Sequence, residues 1–188
     1  MSQFPPIILA SKSPRRQELL KLMGIDFRVE LKEVDESFPE GLSPTNVALH
    51  ISEKKAHAFD GDFTNEIVIT ADTIVVIDNA ILGKPENKQH AFEILSQLSG
   101  KKHEVITAVT LLTKSGIHSF YDVSEVHFKE LTSEQINYYI STGQPMDKAG
   151  AYGIQEWIGL IGIQKIVGSY TNVVGLPTEK LYSELEKL

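Results

Sequence analysis

The chain has no cysteine among its 188 residues, which excludes disulfides, thiolate metal sites and a thiol nucleophile. No apolar run approaches the ~20 residues of a membrane-spanning helix. The opening Met1-Ser2-Gln3-Phe4-Pro5-Pro6 has no basic region followed by a long apolar one, so no signal peptide is expected. Positive charge is in deficit. The 18 Lys and Arg against 25 Asp and Glu give a formal charge of −7, which argues against stable nucleic-acid binding, since that affinity comes from Lys and Arg on phosphate. Gly/Ser/Pro-rich linkers, internal repeats and low-complexity segments are also missing. What remains is average for a globular protein, 41% hydrophobic and 23% charged. A chain of this length buries roughly 70% of its unfolded surface. The expectation is a soluble, acidic, cytoplasmic α/β protein of one domain, with small anions still open as ligands.

The pattern alternates strands and helices. Ile7–Ala10 is a short apolar run of the kind buried on both faces. Ser13-Pro14 supplies an N-cap and a first-turn proline, and Gly24 a helix stop. Phe27–Leu31 reads as a strand, Ser43-Pro44 opens a second helix carrying Val47, Ala48, Ile51 and Ala58 inward, and Ile67–Ile77 is a long strand turning at Asp78-Asn79 into Ala80–Leu82. A helix through Ala91, Phe92, Leu95 and Leu98 stops at Gly100. Val105–Leu112 and Phe120–Phe128 read as two long strands, followed by a helix after Thr132, a strand over Leu160–Val167, and a final helix with Leu181, Leu185 and Leu188 inward.

Two places could carry chemistry. In Ala10-Ser11-Lys12-Ser13-Pro14-Arg15-Arg16 a strand meets a helix start beside three basic residues. Free backbone N–H groups and arginines there suit phosphate oxygens; the plain alternative is a capped helix with solvated charges. The glycines and Gly-Lys-Ser/Thr ending of a P-loop are missing. The second place is acidic. Asp72 interrupts the apolar run Ile67–Ile77, and Glu33, Asp35, Glu36 and Glu40 follow the second strand. A buried carboxylate needs a partner or a metal, and carboxylates from separate segments commonly hold Mg²⁺ on substrate phosphates. Asp72 could equally mark a bulge or a polar edge. Lys84, in Gly83-Lys84-Pro85, and Lys54/Lys55 are further phosphate partners, and Gln155 after a Gly- and Ala-rich stretch offers a donor and an acceptor to a base edge. His50 and His57 lie two helical turns apart, roughly 10 Å, too far to chelate together. His103, His118 and His127 read as surface or sheet residues. Without a Gly-x-Ser-x-Gly elbow or a thiol, activated water is favoured over a covalent intermediate.

Three blocks in order, Leu9–Arg16, Ala71-Asp72-Thr73 with Gly83-Lys84-Pro85, and Asp147–Gln155, resemble the Maf family of nucleoside triphosphate pyrophosphatases. Leu98-Ser99-Gly100 and Val174-Gly175-Leu176-Pro177 extend the likeness to nearly the whole chain. The resemblance implies a single domain over 1–188, with a long twisted mixed sheet, flanking helices and a central cleft between two lobes. It implies hydrolysis of a nucleoside triphosphate to the monophosphate and pyrophosphate, with a divalent cation, Mg or Mn. Arg15, Thr73 and Gln155 match the subgroup acting on dTTP and UTP. Asp72 is then the general base, although a metal ligand would look the same in sequence. Glu36, helped by Asp35, is expected to hold metal, Arg15, Lys55 and Lys84 to hold phosphates, and Ser11, Ser13 and Arg16 to shape the receiving loop. The partner expected is a small nucleotide, with no membrane, no stable nucleic acid and a homodimer left open. A regulator of septum formation without essential catalysis and a purine (ITP/XTP) house-cleaning enzyme stand as rivals. Glu156-Trp157-Ile158 departs from the small, Gly-rich stretch usual in the family.

Overall fold

The computed structural model describes residues 4–188. Among them the elements run β1 (Ile7–Leu9), α1 (Pro14–Leu22), β2 (Phe27–Val29), α2 (Pro44–His57), β3 (Ile67–Ile77), β4 (Ala80–Leu82), α3 (Lys88–Leu98), β5 (Lys102–Thr113), β6 (Gly116–Phe128), α4 (Ser133–Ser141), α5 (Trp157–Gly162), β7 (Ile163–Val167), α6 (Tyr170–Val174) and α7 (Thr178–Leu185). Two short 3₁₀ turns, Gln144–Asp147 and Ala149–Ala151, lie between α4 and α5. The strands form one seven-stranded sheet in the order β2-β1-β3-β5-β6-β7, with β4 paired to β3. β1 is parallel to both β2 and β3, whereas β3/β4 and β6/β7 are antiparallel. The sheet is therefore mixed, as the resemblance implied. No helix of the described residues is long and apolar enough to cross a membrane.

Local chemistry sets these boundaries. β1 has a parallel partner on each side, and its three residues are fully buried, so only a continuous apolar run fits. The Ser13 and Ser43 side chains accept the N–H of Arg16 and Asn46, each with proline in the first turn. Asp78 and Asn79 both take positive φ, 49° and 65°, between the paired Ile77 and Ala80. That is the twist a two-residue hairpin prefers.

Contacts divide the chain into two units, the first Met1–Asp72, Thr107–Asp122 and Gly175–Leu188, the second Thr73–Ile106 and Val123–Val174. In the first, Ile8, Ala56, Phe59, Val68 and Leu112 pack together. A buried polar seam ties α2 to the sheet: the Thr70 hydroxyl donates to the Ser52 carbonyl at 2.7 Å, and the Ser52 and Thr110 hydroxyls share a hydrogen bond of 2.9 Å. In the second, Ala91, Ile94, Leu95 and Leu98 of α3 join Ile136, Tyr139 and Ile140 of α4 over Val105, Val126 and Phe128.

The structure corrects two expectations. The run Leu160–Val167 is half helix, because the Leu160 N–H donates to the Glu156 carbonyl and only Ile163 onward pairs with β6. An apolar run of that length has no periodicity that separates helix from strand. Gly159 marks the helical half, since a Cβ there would lie 1.9 Å from the Ile154 carbonyl oxygen. Leu188 is 57% exposed, while Leu181 and Leu185 are buried. His103 is a sheet residue, as expected, and it is buried there. It is 2% exposed, with Nε2 at 2.7 Å from the Tyr152 hydroxyl and its ring stacked on Phe128.

Burial, and then the charge of His127, push the His103 pKa down to about 4. Its value in an unfolded chain is about 6.5. The unfolded state therefore binds the extra proton in that window, so stability is complete above pH ~6.5 and declines toward pH ~4, by up to about 3 kcal/mol. Thermal melts from pH 7 to pH 5 should fall by several degrees, and His103→Gln should flatten that slope.

Candidate active site

β1 delivers the chain into a tight loop before α1, and that loop is knitted by its own hydroxyls. The Ser11 Oγ, in a buried residue, accepts the Ser13 N–H at 3.2 Å and Arg16 Nη1 at 3.2 Å, while Ser13 caps the helix. Arg16 reaches further. Its Nε donates to the Gly175 carbonyl at 2.8 Å and its Nη1 to the Ala71 carbonyl at 3.0 Å. Burial lowers the Arg16 pKa, and the nearby Asp72 carboxylate opposes that; an arginine stays charged regardless. Arg16 thus anchors the loop to β3 one residue before Asp72, and Arg15, half-buried, precedes it in the same turn.

Asp72 lies within the continuous strand β3, between its pairing with β1 over Ile67–Ile69 and with β4 over Val75–Ile77. The Asp72 side chain is 14% exposed, and its Oδ1 accepts Lys55 Nζ at 2.8 Å. The same ammonium lies 2.9 Å from Glu36 Oε1. Lys55 sits one turn after the buried Ser52 of α2, whose carbonyl accepts the Thr70 hydroxyl of β3. Two carboxylates from separate segments therefore share one cation. Asp35 does not join them. Its carboxylate, 73% exposed, is bound by the Ser37 hydroxyl and N–H and by Lys54 Nζ at 3.1 Å, which hold its pKa down to about 2.

Ser11, Ser13, Arg15, Arg16, Asp35, Glu36, Lys55 and Asp72 all belong to the first unit, and Thr73, Lys84 and Gln155 to the second. In the second unit the Gly83 carbonyl, beside the exposed Lys84, accepts the Gly150 N–H at 3.1 Å. Gly150 has φ 69°, and a Cβ there would lie 2.8 Å from Val75, two residues beyond Thr73. The loop before Gln155 is thus pressed onto β3, and Ala151, fully buried, also takes positive φ, 57°. Left-handed backbone at a non-glycine residue is strained and persists where packing over-determines it. Gln155 itself is exposed, at the turn preceding α5.

Sequence reasoning missed what supports these loops. The Gly175 carbonyl lies 159 residues from Arg16 in sequence, and only its place in Val174–Pro177 hinted at it. Lys148, Glu156 and Tyr139 form a network within and behind the Asp147–Gln155 block whose pairing no motif announces.

Hard oxygen donors suit Mg²⁺ or Mn²⁺. Among the described residues no cluster of three or more His, Asp and Glu makes a preformed cage. Magnesium on a nucleotide needs only one or two carboxylates, with phosphates completing the shell. Asp72 and Glu36, already converging on one cation, fit that requirement.

Residues 6–188 match the model of the family described as Maf-like protein. A relative from Flavobacterium psychrophilum, named dTTP/UTP pyrophosphatase, is 52% identical over 94% of this chain and 91% of its own length. One of the same name from Bacteroides thetaiotaomicron is 51% identical over 97% of this chain and 95% of its own. Among solved structures a HAM1 protein from Coxiella burnetii matches 97% of this chain and 99% of its own with a TM-score of 0.55 at 13% identity, a likeness of fold.

Proposed function

The chain belongs to the Maf-like protein family, and we infer that it hydrolyses dTTP and UTP to the nucleoside monophosphate and pyrophosphate, with all of residues 1–188 serving as one catalytic domain. Its relatives' name supplies the substrates. The observation that carries the chemistry is the shared cation: Asp72 and Glu36 converge on Lys55 Nζ in the unit that holds the Ser11–Arg16 loop.

Attack of water on the α-phosphorus needs a base and needs positive charge on the phosphates as the leaving pyrophosphate gains electrons. Asp72 takes the water's proton. Lys55 holds the Asp72 carboxylate in place and keeps a positive charge beside it. Arg15 and Lys84 bind phosphate oxygens, and Ser11, Ser13 and Arg16 keep the receiving loop in shape. A divalent cation, held by Glu36 and Asp72, supplies charge neutralisation on the phosphates when bound. Asp35 is oriented by Lys54 and Ser37 and assists Glu36 only through its charge. Gln155 pairs its amide with the carbonyl and ring N–H of uracil or thymine, and Thr73 adds to the same recognition. The cytoplasm, where nucleotide pools lie, is the setting of this reaction.

The test is a panel of dTTP, UTP, CTP and ITP assayed for pyrophosphate release with and without Mg²⁺ or Mn²⁺. Release from dTTP and UTP that depends on metal is expected. Tight nucleotide binding with no turnover would favour a regulatory protein, and preference for ITP a purine enzyme.

One substitution tests base reading directly. A carboxylate at position 155 can only accept, so Gln155→Glu loses the contact to a pyrimidine carbonyl and repels it. kcat/KM for dTTP and UTP should fall by about 1–3 kcal/mol in transition-state terms, and by less for CTP, whose amine can donate to the new carboxylate. Equal losses on all three would assign Gln155 to loop support.

A further inference from the structure

Glu156 follows Gln155 and stands at the N-cap of α5, yet its side chain does not cap that helix. It turns the other way. Glu156 Oε1 lies 2.9 Å from Lys148 Nζ, and Oε2 accepts the Tyr139 hydroxyl. That hydroxyl in turn accepts the Gly153 N–H at 3.1 Å. Lys148 Nζ also binds Asp147 Oδ1 at 2.6 Å and the Gln144 carbonyl. The side chains are enclosed: Lys148 is 8% exposed and Glu156 14%, and Tyr139 is fully buried in the core. Burial, then the hydrogen bond to Glu156, raise the Tyr139 pKa, so its hydroxyl keeps its proton to donate. Gly153 packs so close that a Cβ there would lie 2.6 Å from the Glu156 carboxyl carbon.

The arrangement is a strap. One ion pair joins the first and last parts of the stretch Lys148–Glu156, and a buried tyrosine pins its middle at Gly153. Gln155 is the exposed residue within it. A buried ion pair is a poor way to gain net stability, because desolvation offsets attraction, whereas fixing one geometry is a role such pairs do serve. We propose that Glu156, through Lys148 and Tyr139, is a positioning residue that holds Gln155 in the orientation in which it discriminates uracil and thymine from cytosine. This rests on the reading of Gln155 as the base-recognising residue.

Glu156→Gln removes the charge that Lys148 pairs with and leaves one oxygen to serve both Lys148 Nζ and the Tyr139 hydroxyl. Tyr139→Phe removes that hydroxyl alone and leaves the ring packed. The readout is the ratio of kcat/KM for UTP to that for CTP, which a loss of folded enzyme cannot change, because it lowers both alike. Each variant should lower the ratio about fivefold to tenfold, the scale of one ordinary hydrogen bond, chiefly through KM for UTP. Inhibition by inorganic pyrophosphate should keep its wild-type Ki. Because Glu156 acts through Gln155, the double variant Gln155→Ala/Glu156→Gln should have the same ratio as Gln155→Ala alone. Two results overturn the proposal alone: an unchanged ratio in Glu156→Gln and Tyr139→Phe while Gln155→Ala collapses it, or additive losses in the double variant. An unchanged ratio in Gln155→Ala overturns the base-reading role and the strap's purpose with it.

Discussion

Asp72→Asn should lower kcat by at least ~10²-fold, the lower end of what general acid–base catalysis contributes, while the protein stays folded. The amide keeps the size of the carboxylate and its oxygen can still accept Lys55 Nζ, now at 2.8 Å from Oδ1, so the packing at β3 is preserved. The proton acceptor is gone. Side-chain exposure of 14% means that bulk water cannot readily supply a substitute base at that position. Both proposed duties of Asp72, base and cation ligand, need the negative charge, and both predict the loss. Metal titration separates them: recovery of rate at high Mn²⁺ would identify a ligand, and a loss that metal cannot repair identifies the base. Near-wild-type turnover would remove Asp72 from the mechanism.

Lys55→Met should lower kcat/KM by roughly 1.5–3 kcal/mol of transition-state stabilisation, the size of a charge-assisted hydrogen bond. Lys55 and Asp72 are 18% and 14% exposed, and Glu36 is 52% exposed. Removing the ammonium therefore leaves Asp72 as an enclosed carboxylate without its cation and opposite a second carboxylate. The adjacent residue is the control. Lys54 is 34% exposed and pairs with an Asp35 that is 73% exposed; such a solvent-facing pair is worth about 0–1 kcal/mol. Lys54→Met should change kcat/KM by no more than about fivefold. Equal losses at positions 54 and 55 would show that general positive charge on α2 matters, and not the bridge between Asp72 and Glu36.

Features coded by neighbouring residues were legible before the fold was known. Ile67–Ile77 declared its strand by unbroken apolar character, Asp78-Asn79 its turn by tolerance of positive φ, and Ser13-Pro14 its helix start by capping. The Leu160–Val167 run was not legible because a short apolar run has no period that separates helix from strand, and its first residues belong to α5, with the Leu160 N–H on the Glu156 carbonyl. The site behaved likewise. Asp72 stood out because a charge in an apolar run demands a partner, but the sequence could not say that the partner is Lys55 rather than Lys54, a choice made by the Ser52 seam that orients α2. Arg16 looked like a loop residue, and its two carbonyl partners, at Ala71 and Gly175, come from segments brought near only by folding. Lys148 lay in the Asp147–Gln155 block and Glu156 in the departure that follows it, but their pairing with each other and with Tyr139 is made only by folding.

The bond from Arg16 to the Gly175 carbonyl bears on the order in which the protein is made. Translation proceeds from the N-terminus, and a domain folds as its residues emerge. The second unit is complete once Val174 has been added, but the first still lacks Gly175–Leu188. The Ser11–Arg16 loop, among the earliest residues synthesised, therefore waits for some of the latest before its arginine is satisfied. A nascent chain halted at residue 174 would carry Asp72, Lys55 and Glu36, yet its loop would lack one of the two carbonyls that anchor it. Arg16 gains its second carbonyl anchor only after Gly175 has been made.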